Sequence, residues 1–223
     1  MPFRIVISHR QTRFIDRFVQ TFGSDFLVVF DDMTADDLDV VNRHNIPYLQ
    51  NPKMGSRTQN RNMGLYEWES KVNLADNDLI EFFDGDRPPV SYDLSAAPTD
   101  FDVLLYTCEN DKRLQKLKSG LVNVNLLCNP FYSCGFCIKY GLVKKIYQMN
   151  DGMLFDESFT SWGCEDQYLG VMCGSLGAKV YLYDNVVLNG QVGGDELSHP
   201  DYVKSLQHYI DKLREKNIFP HAK

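Results

Sequence analysis

Two kinds of hydrophobic pattern alternate along the chain: short continuous apolar runs, and longer segments whose apolar residues recur at helical spacing. The continuous runs predict strands at Phe3–Ser8, Phe26–Phe30, Leu79–Phe83, Phe101–Thr107 and Lys179–Tyr183, and paired strands within Leu126–Ile138. The helical spacing predicts helices at Phe14–Phe22, after Thr34, from Ser56 to Lys71, at Leu142–Met149, after Glu165 and at Tyr202–Lys216. This alternation indicates an α/β fold with βαβ units and a mixed, mostly parallel sheet flanked by helices.

The length favours one domain. A chain of 223 residues is long enough to bury a full hydrophobic core. Because no internal repeat, low-complexity tract or linker interrupts the pattern, we predict a single domain over residues 1–223.

The net charge limits the kinds of molecule that the protein is expected to bind. The net charge of −7 at pH 7 argues against a general polyanion-binding surface. The longest basic cluster, Lys112–Lys118, is typical of a solvated helix face or loop, and a contact to an anionic acceptor is the alternative. No signal peptide or transmembrane run is recognisable. Unless such segments have been trimmed, we expect a cytoplasmic protein that is a monomer or a weak oligomer.

The pattern of the cysteines favours thiols in the hydrophobic core over a metal-binding or redox motif. Cys134 and Cys137 have the spacing of a zinc or redox pair, but no second Cys/His pair stands at a suitable distance. Both lie in an apolar, aromatic run, so we interpret them as small buried thiols in a reducing compartment.

The strongest candidate for chemistry is a strand that ends in two carboxylates. Leu79–Phe83 leads directly into Asp84, Gly85 and Asp86. Ligands of α/β sheets bind beyond the carboxyl ends of the strands. Two carboxylates that flank a residue without a side chain can converge on an oxygen-seeking cation such as Mg²⁺ or Mn²⁺. The alternative is an Asp-Gly turn between two strands.

Two predicted helix starts carry further candidates. Ser56 is a candidate N-cap for a helix with Arg57 and Arg61 on one side, which suits a diphosphate; a solvated helix face is the alternative. Glu165 and Asp166 fall in the first turn of another helix, where the helix dipole stabilises carboxylates. One interpretation is that both carboxylates only stabilise the start of the helix. The functional hypothesis is that Asp166 acts as a general base and that Glu165 holds an acceptor hydroxyl.

In this order, the pieces resemble the GT-A type nucleotide-sugar glycosyltransferases, in particular the large inverting family and the β-galactosyltransferase and polypeptide GalNAc-transferase groups. The resemblance extends over most of the chain. It rests on a first strand with a polar end, a second strand ending in two aspartates, an Arg-Asn-x-Gly helix, an Asp-x-Asp motif and a final Phe-Asp-Glu-x-Phe…Trp-Gly-x-Glu-Asp run. These stand at Phe3–Arg10, Asp31–Asp32, Arg61–Gly64, Asp84–Asp86 and Phe155–Asp166.

The resemblance implies a GT-A, Rossmann-like domain with a nucleotide-binding half at about residues 1–90 and an acceptor-binding half at about residues 91–223. It implies that Mn²⁺ or Mg²⁺ assists transfer of a sugar from a nucleoside diphosphate, expected to be UDP, to an acceptor hydroxyl. The implied metal ligands are Asp84, Asp86 (the more direct of the two) and His199. The implied donor-binding residues are Ser8, His9, Arg10, Asp31, Asp32, Arg57, Arg61, Asp84 and Gly85. Trp162, Gly163 and Glu165 are implied to bind the acceptor, Asp166 and Glu165 to act in catalysis, and the loop Gly190–His199 to close over the donor.

Several points stay open. Glu165-Asp166 stands where retaining relatives tend to have Glu-Asn, so the resemblance implies inversion. Cys164 occupies a position usually held by glycine, which puts the fit of that loop in doubt. A glycan is the first expectation for the acceptor, with a lipid, a protein, a small molecule or a modified nucleic-acid base as alternatives. The rival hypotheses are a nucleotidyltransferase, whose usual glycine-rich first loop is missing after Ser8, and a catalytically silent nucleotide-sugar binding subunit.

Overall fold

A computed structural model of the chain describes residues 1–9, 11–52, 56–109, 119–122, 134–160, 163–190, 200–216 and 218, with side chains for all of these except residues 200–202. The strands within these ranges are β1 (Phe3–His9), β2 (Leu27–Asp32), β3 (Tyr48–Gln50), β4 (Leu79–Asp84), β5 (Pro89–Tyr92), β6 (Val103–Cys108), β7 (Gly120–Val122), β8 (Gly135–Lys139) and β9 (Val180–Leu188). The helices are α1 (Thr12–Phe22), α2 (Ala35–Arg43), α3 (Arg57–Lys71), α4 (Tyr140–Met149), α5 (Glu165–Ser175) and α6 (Pro200–Glu215).

The described strands form one mixed sheet in the order β3-β2-β1-β4-β8-β6-β9-β5, with β7 paired to β9. Strands β3, β2, β1 and β4 run parallel, so their carboxyl ends meet at one edge. Strand β8 is antiparallel to both β4 and β6, whereas β9 is parallel to β6. The predicted fold class, an α/β domain with a mixed sheet flanked by helices, is confirmed.

Two apolar layers cover the two faces of this sheet. Alternate residues of β1 point to opposite faces, so that Ile5 and Ile7 join one buried cluster and Val6 joins the other. The first cluster includes residues of α3, α4, α5 and α6, and the second includes residues of α1 and α2. The result is a three-layer sandwich whose helices hold the strand ends in a fixed arrangement.

The predicted strands and helices agree with these elements, while the short strands β3, β5 and β7 were not predicted. Only β8 represents the predicted pair within Leu126–Ile138, because residues 123–133 lie outside the described part, as does Lys112–Lys118. Strand β4 ends at Asp84, before Pro88-Pro89, and the edge strand β5 begins at Pro89. Proline is tolerated at the first residue of an edge strand because its missing N–H is not needed there.

A buried polar network lies on the α1 side of the sheet. The carboxylate of Glu81 accepts hydrogen bonds from Nε of Arg4 at 2.9 Å and from the hydroxyls of Tyr92 and Tyr106. The guanidinium of Arg4 lies 4.3 Å from the ring centroid of Phe22. Burial raises the pKa of Glu81, although its hydrogen bonds and Arg4 act to lower that pKa. The network joins β1, β4, β5 and β6.

The described cysteines are free. Cys137 is fully buried, as the sequence predicts, whereas Cys134 is half-buried, and burial raises the pKa of the Cys137 thiol well above its usual range. Within the described ranges, no helix combines the length and the apolar character that crossing a bilayer requires. The cytoplasmic location and the division into two functional halves stay predictions.

Candidate active site

The candidate residues of three strands meet at one edge of the parallel sheet. In the paired strands, His9 lies opposite Asp32, and Ile7 lies opposite Asp84. The backbone N–H of Gly85 donates to the carbonyl of Ile7 at 2.7 Å, which holds the segment after β4 against the end of β1. The carboxyl ends of β1, β2 and β4 therefore bring Asp31, Asp32 and Asp84 to the same edge.

Asp84–Arg87 forms a tight turn, but the turn does not join two paired strands. The N–H of Arg87 donates to the carbonyl of Asp84 at 2.9 Å and closes the turn. The neighbours of β4 are β1 and β8, whereas β5, which follows the turn, pairs with β9. Asp84-Gly85-Asp86 thus begins a turn between two strands, as the alternative has it, but this turn is not that of a β-hairpin.

Gly85 is required by this close packing. A Cβ atom at Gly85 would lie 2.7 Å from the carbonyl oxygen of Ile7 and 3.1 Å from Cα of Ser8. Both are backbone atoms that cannot move aside. Any side chain at this position would push the two aspartates away from the end of β1.

The residues that are predicted to bind the nucleoside form a small polar group beside this turn. Nδ1 of His9 donates to Oδ1 of Asp31 at 2.8 Å; Asp31 is buried, and the His9 side chain is 55% exposed. Ser8 is fully buried, and its hydroxyl has no hydrogen-bond partner in the part of the chain that the structure describes. Asp32 lies at the end of β2, and Arg10 lies outside the described residues.

Arg57 and Arg61 of helix α3 share one predicted role, but they lie in different environments. Ser56 caps the helix by accepting a hydrogen bond from the N–H of Gln59 at 3.3 Å, as predicted. Arg57 is exposed, whereas the side chain of Arg61 is 1% exposed. Nη2 of Arg61 lies 2.9 Å from Oδ1 of Asp84, and Nη1 lies 3.3 Å from Oε1 of Glu165. Arg61 thus joins the end of β4 to the start of α5.

Helix α5 begins from a left-handed backbone. Gly163 has φ +91°, and the N-cap residue Cys164 has φ +71°. The backbone of Cys164 is in the left-handed region, which glycine adopts more readily than other residues. This explains why glycine is the usual residue at this position in the glycosyltransferases that the sequence resembles. Glu165 is buried, and its Oε2 atom has no hydrogen-bond partner among the described residues. Asp166 is half-buried and accepts a hydrogen bond from the N–H of Gln167 at 2.8 Å.

The electrostatics place Arg57 among four carboxylates. Burial acts to lower the pKa of Arg57, but nearby negative charges outweigh it and raise that pKa. These charges belong to Asp84, Glu165, Asp86 and Asp166. The side chain of Arg57 is exposed to solvent. The structure therefore brings the acidic ends of β4 and α5 close to the same arginine.

The two aspartates of the turn fit a hard divalent cation. Burial raises the pKa of Asp86, and the neighbouring charge of Asp84 adds to the rise. A bound cation would relieve this repulsion between like charges. Within the described ranges, no three His, Cys, Asp or Glu side chains are grouped to hold a metal. Mg²⁺-type sites commonly use one or two carboxylates and complete their shell with water and substrate phosphates, so the pair is a sufficient protein contribution.

Two predicted residues cannot be placed. Trp162 and His199 lie outside the described residues, as does the segment 191–199 of the predicted donor-covering loop. The roles of Trp162 as an acceptor contact and of His199 as a third metal ligand stay predictions.

Sequence reasoning missed the role of Asn62. Its Nδ2 donates to the carbonyl of Phe155 at 2.8 Å, while its Oδ1 accepts from the N–H of Phe155 at 3.0 Å. The hydroxyl of Thr58 also donates to the carbonyl of Phe159 at 3.3 Å. Helix α3 therefore holds the segment that leads to α5. The available signal was the all-polar run Ser56–Asn62 at the start of a helix, which the structure buries for the most part.

The fold is that of known sugar-transferring enzymes. No protein-family model matches the chain, and no curated protein matches its sequence. Solved structures do match, and at these low identities the likeness shows the fold alone. The chain has the GT-A fold of nucleotide-sugar glycosyltransferases, the fold that its motifs predicted.

Two of the matching structures illustrate the likeness. One is GalNAc-T7 with UDP, GalNAc and Mn²⁺, with a TM-score of 0.59 and 12% identity; the match covers 96% of this chain and 50% of that chain. This chain thus spans about half the length of that structure. The other is glucosyl-3-phosphoglycerate synthase from Mycobacterium tuberculosis with Mg²⁺ and UDP, with a TM-score of 0.58, 11% identity and coverage of 99% and 81% of the two chains.

Proposed function

We propose that this protein is a metal-dependent glycosyltransferase that moves a sugar from a UDP-sugar to an acceptor hydroxyl with inversion at the sugar carbon. The observation that carries the proposal is the cluster of charged residues at the end of β4 and the start of α5. Asp84 and Asp86 lie on its β4 side, Glu165 and Asp166 on its α5 side, and Arg57 between them. The matched structures contain UDP with Mn²⁺ or Mg²⁺, which supports the same donor class for this chain.

The donor is held at the parallel edge of the sheet. His9, Asp31 and Asp32 lie where the nucleoside is expected, and the exposed Arg57 faces the diphosphate. Arginine suits this role because its planar fork matches phosphate oxygens. Asp84 and Asp86 would hold Mn²⁺ or Mg²⁺, which supplies positive charge that stabilises the departing diphosphate.

The acceptor lies on the α5 side. Asp166, in the first turn of α5, takes the proton of the acceptor hydroxyl while that oxygen attacks the anomeric carbon. The bond between the sugar and UDP breaks on the opposite face, which inverts the configuration. Glu165, whose carboxylate is fixed by Arg61, holds the acceptor hydroxyl. A glycan is the proposed acceptor class.

Calorimetry tests this proposal. We expect UDP to bind in the presence of Mn²⁺ but not with a chelator, and GDP, CDP and dTDP to bind more weakly. Asp86→Ala should abolish this binding, whereas Asp93→Ala, which removes an exposed aspartate from the same stretch, should leave it unchanged. If none of the nucleotides binds to the folded protein, the transferase proposal is wrong. Binding without slow donor hydrolysis or transfer would favour the catalytically silent subunit.

A further inference from the structure

The bridge made by Arg61 is unusual in its burial and in the elements that it joins. Its guanidinium lies 2.9 Å from Asp84 at the end of β4 and 3.3 Å from Glu165 at the start of α5. The guanidinium carbon also lies 5.1 Å from the ring centroid of Phe155. With 1% of the Arg61 side chain exposed, water has little access to screen these charges.

One buried cation is therefore shared by two carboxylates with different proposed tasks. Charge–charge interactions over such short distances are strong where water is excluded. If the charge of one carboxylate is neutralised, Arg61 interacts more strongly with the other. Because the three groups come from different elements, α3, β4 and α5, the effect passes from the end of β4 to the start of α5.

We infer that Arg61 is a positioning residue that couples the donor side of the site to the acceptor side. The inference rests on the proposed function, in which Asp84 belongs to the metal site and Glu165 to the acceptor site. A cation bound at Asp84 turns Arg61 toward Glu165 and fixes the carboxylate that receives the acceptor. Such coupling is reciprocal. If Glu165 is neutralised, Arg61 interacts with Asp84 alone, and its positive charge then weakens the binding of a cation at Asp84.

Glu165→Gln tests this coupling without requiring knowledge of the acceptor. The measured quantity is the affinity for Mn²⁺ at a fixed, saturating UDP concentration, followed by calorimetry or by electron paramagnetic resonance of free Mn²⁺. In the wild-type background we expect Glu165→Gln to weaken Mn²⁺ binding by about fivefold or more, the lower end of typical coupling between sites.

The decisive comparison uses a second background. In Arg61→Gln, Glu165→Gln should weaken Mn²⁺ binding clearly less than it does in the wild-type background, because the buried cation that bonds to both carboxylates is gone while Arg57 remains. Arg61→Gln leaves two carboxylates unpaired and can fail to fold. Arg61→Lys is therefore the second background, since an ammonium keeps the charge but lacks the fork that spans both partners. Circular dichroism and thermal unfolding establish that each variant is folded.

Arg4→Lys is the matched control. Arg4 is also a buried arginine bonded to a carboxylate and packed on aromatic rings, but it lies with Phe22 on the face opposite to Phe155. We expect Arg4→Lys to lower stability and to leave the Mn²⁺ affinity unchanged.

The outcomes separate this inference from the proposed function. If wild-type protein binds no UDP with Mn²⁺, the proposed function fails and the inference fails with it. If wild-type protein binds but Glu165→Gln has no effect, the coupling is overturned while the donor site stands. An equal loss of affinity in the wild-type and Arg61→Gln backgrounds also overturns it, because the effect of Glu165 on the cation then does not pass through Arg61.

Discussion

At the scale of single residues, the proposed function depends on where a few charged side chains lie at the ends of β4 and α5. Arg57 and Arg61 have the same residue type and lie one helical turn apart, yet one is exposed and the other is buried between two carboxylates. The sequence could not separate them, because helical spacing puts both on one side. What separates them is the end of β4 and the start of α5, elements that the fold brings to Arg61 from 23 and 104 residues away.

Asp166 gives a prediction at this scale. Asp166→Asn removes the proposed general base while keeping the size of the side chain, so we expect the rate of sugar transfer to fall by about 10²–10⁴-fold. The rate is measured as acceptor-dependent release of UDP from UDP-glucose and from UDP-GalNAc over a panel of glycan acceptors. UDP binding with Mn²⁺ should be retained.

The control is Asp211→Asn, which makes the same change at an exposed aspartate of α6 and should leave the rate unchanged. Undiminished transfer by Asp166→Asn would exclude Asp166 as the base.

At the scale of elements, α3 organises the site. Its N-terminal polar residues hold Asp84, Glu165 and the backbone of Phe155, and its packing on the sheet depends on Gly64. The sequence predicted this helix and its Ser56 cap correctly, since both depend on local signals. It did not predict the contacts of Asn62, because their partner lies 93 residues away.

Gly64 gives a prediction at this scale. A Cβ atom at Gly64 would lie 2.6 Å from Cγ2 of Ile5 and 3.1 Å from Cγ2 of Val29. Gly64→Ala should therefore lower the free energy of unfolding by about 1–3 kcal/mol through overpacking, in spite of the better helix propensity of alanine. Urea unfolding followed by circular dichroism measures the change.

Glu67→Ala, on a less buried face of the same helix, should change stability by no more than about 0.5 kcal/mol. A Gly64→Ala variant as stable as the wild type would show that α3 can move away from β1 and β2 at no cost.

At the scale of the whole molecule, α6 is bonded to the segment that leads into α5. Nζ of Lys212 lies 3.0 Å from Oδ2 of Asp156, and Ser158 shares a hydrogen bond of 2.8 Å with Nε2 of His208. Tyr209 and Leu213 are buried in the same cluster as Phe159 and Cys164. The chain's last described helix thus supports the Phe155–Asp166 segment.

Asp156 makes the global stability depend on pH. Burial acts to raise the pKa of Asp156, but hydrogen bonds from Ser158 and the ion pair with Lys212 outweigh it and lower that pKa. A carboxylate with a lowered folded-state pKa stabilises the fold at neutral pH, and the stabilisation is lost as the pH falls through that value. Asp156→Asn should therefore cost about 1–3 kcal/mol at pH 7, with the difference from wild type shrinking below about pH 4.

Urea unfolding at several pH values measures this dependence. Asp151→Asn is the matched control, because Asp151 is exposed and pairs at 3.6 Å with Lys216 just beyond the same helix; it should cost no more than about 1 kcal/mol. A difference between wild type and Asp156→Asn that is constant with pH would contradict the assigned cause.

The sequence by itself determined the order and type of the main elements, the fold class and the pairing of Asp84 with Asp86 at a strand end. These follow from local periodicity, caps and turn residues, which act over a few residues. The tertiary structure decided which strands are neighbours, and so excluded a hairpin at Gly85. It also gave Arg57 and Arg61 different environments, and brought Asn62 to Phe155 and Arg61 to Glu165. The physical reason is that contacts between distant segments depend on how whole layers pack together. Such packing produces no local pattern in the sequence from which the contacts could be predicted.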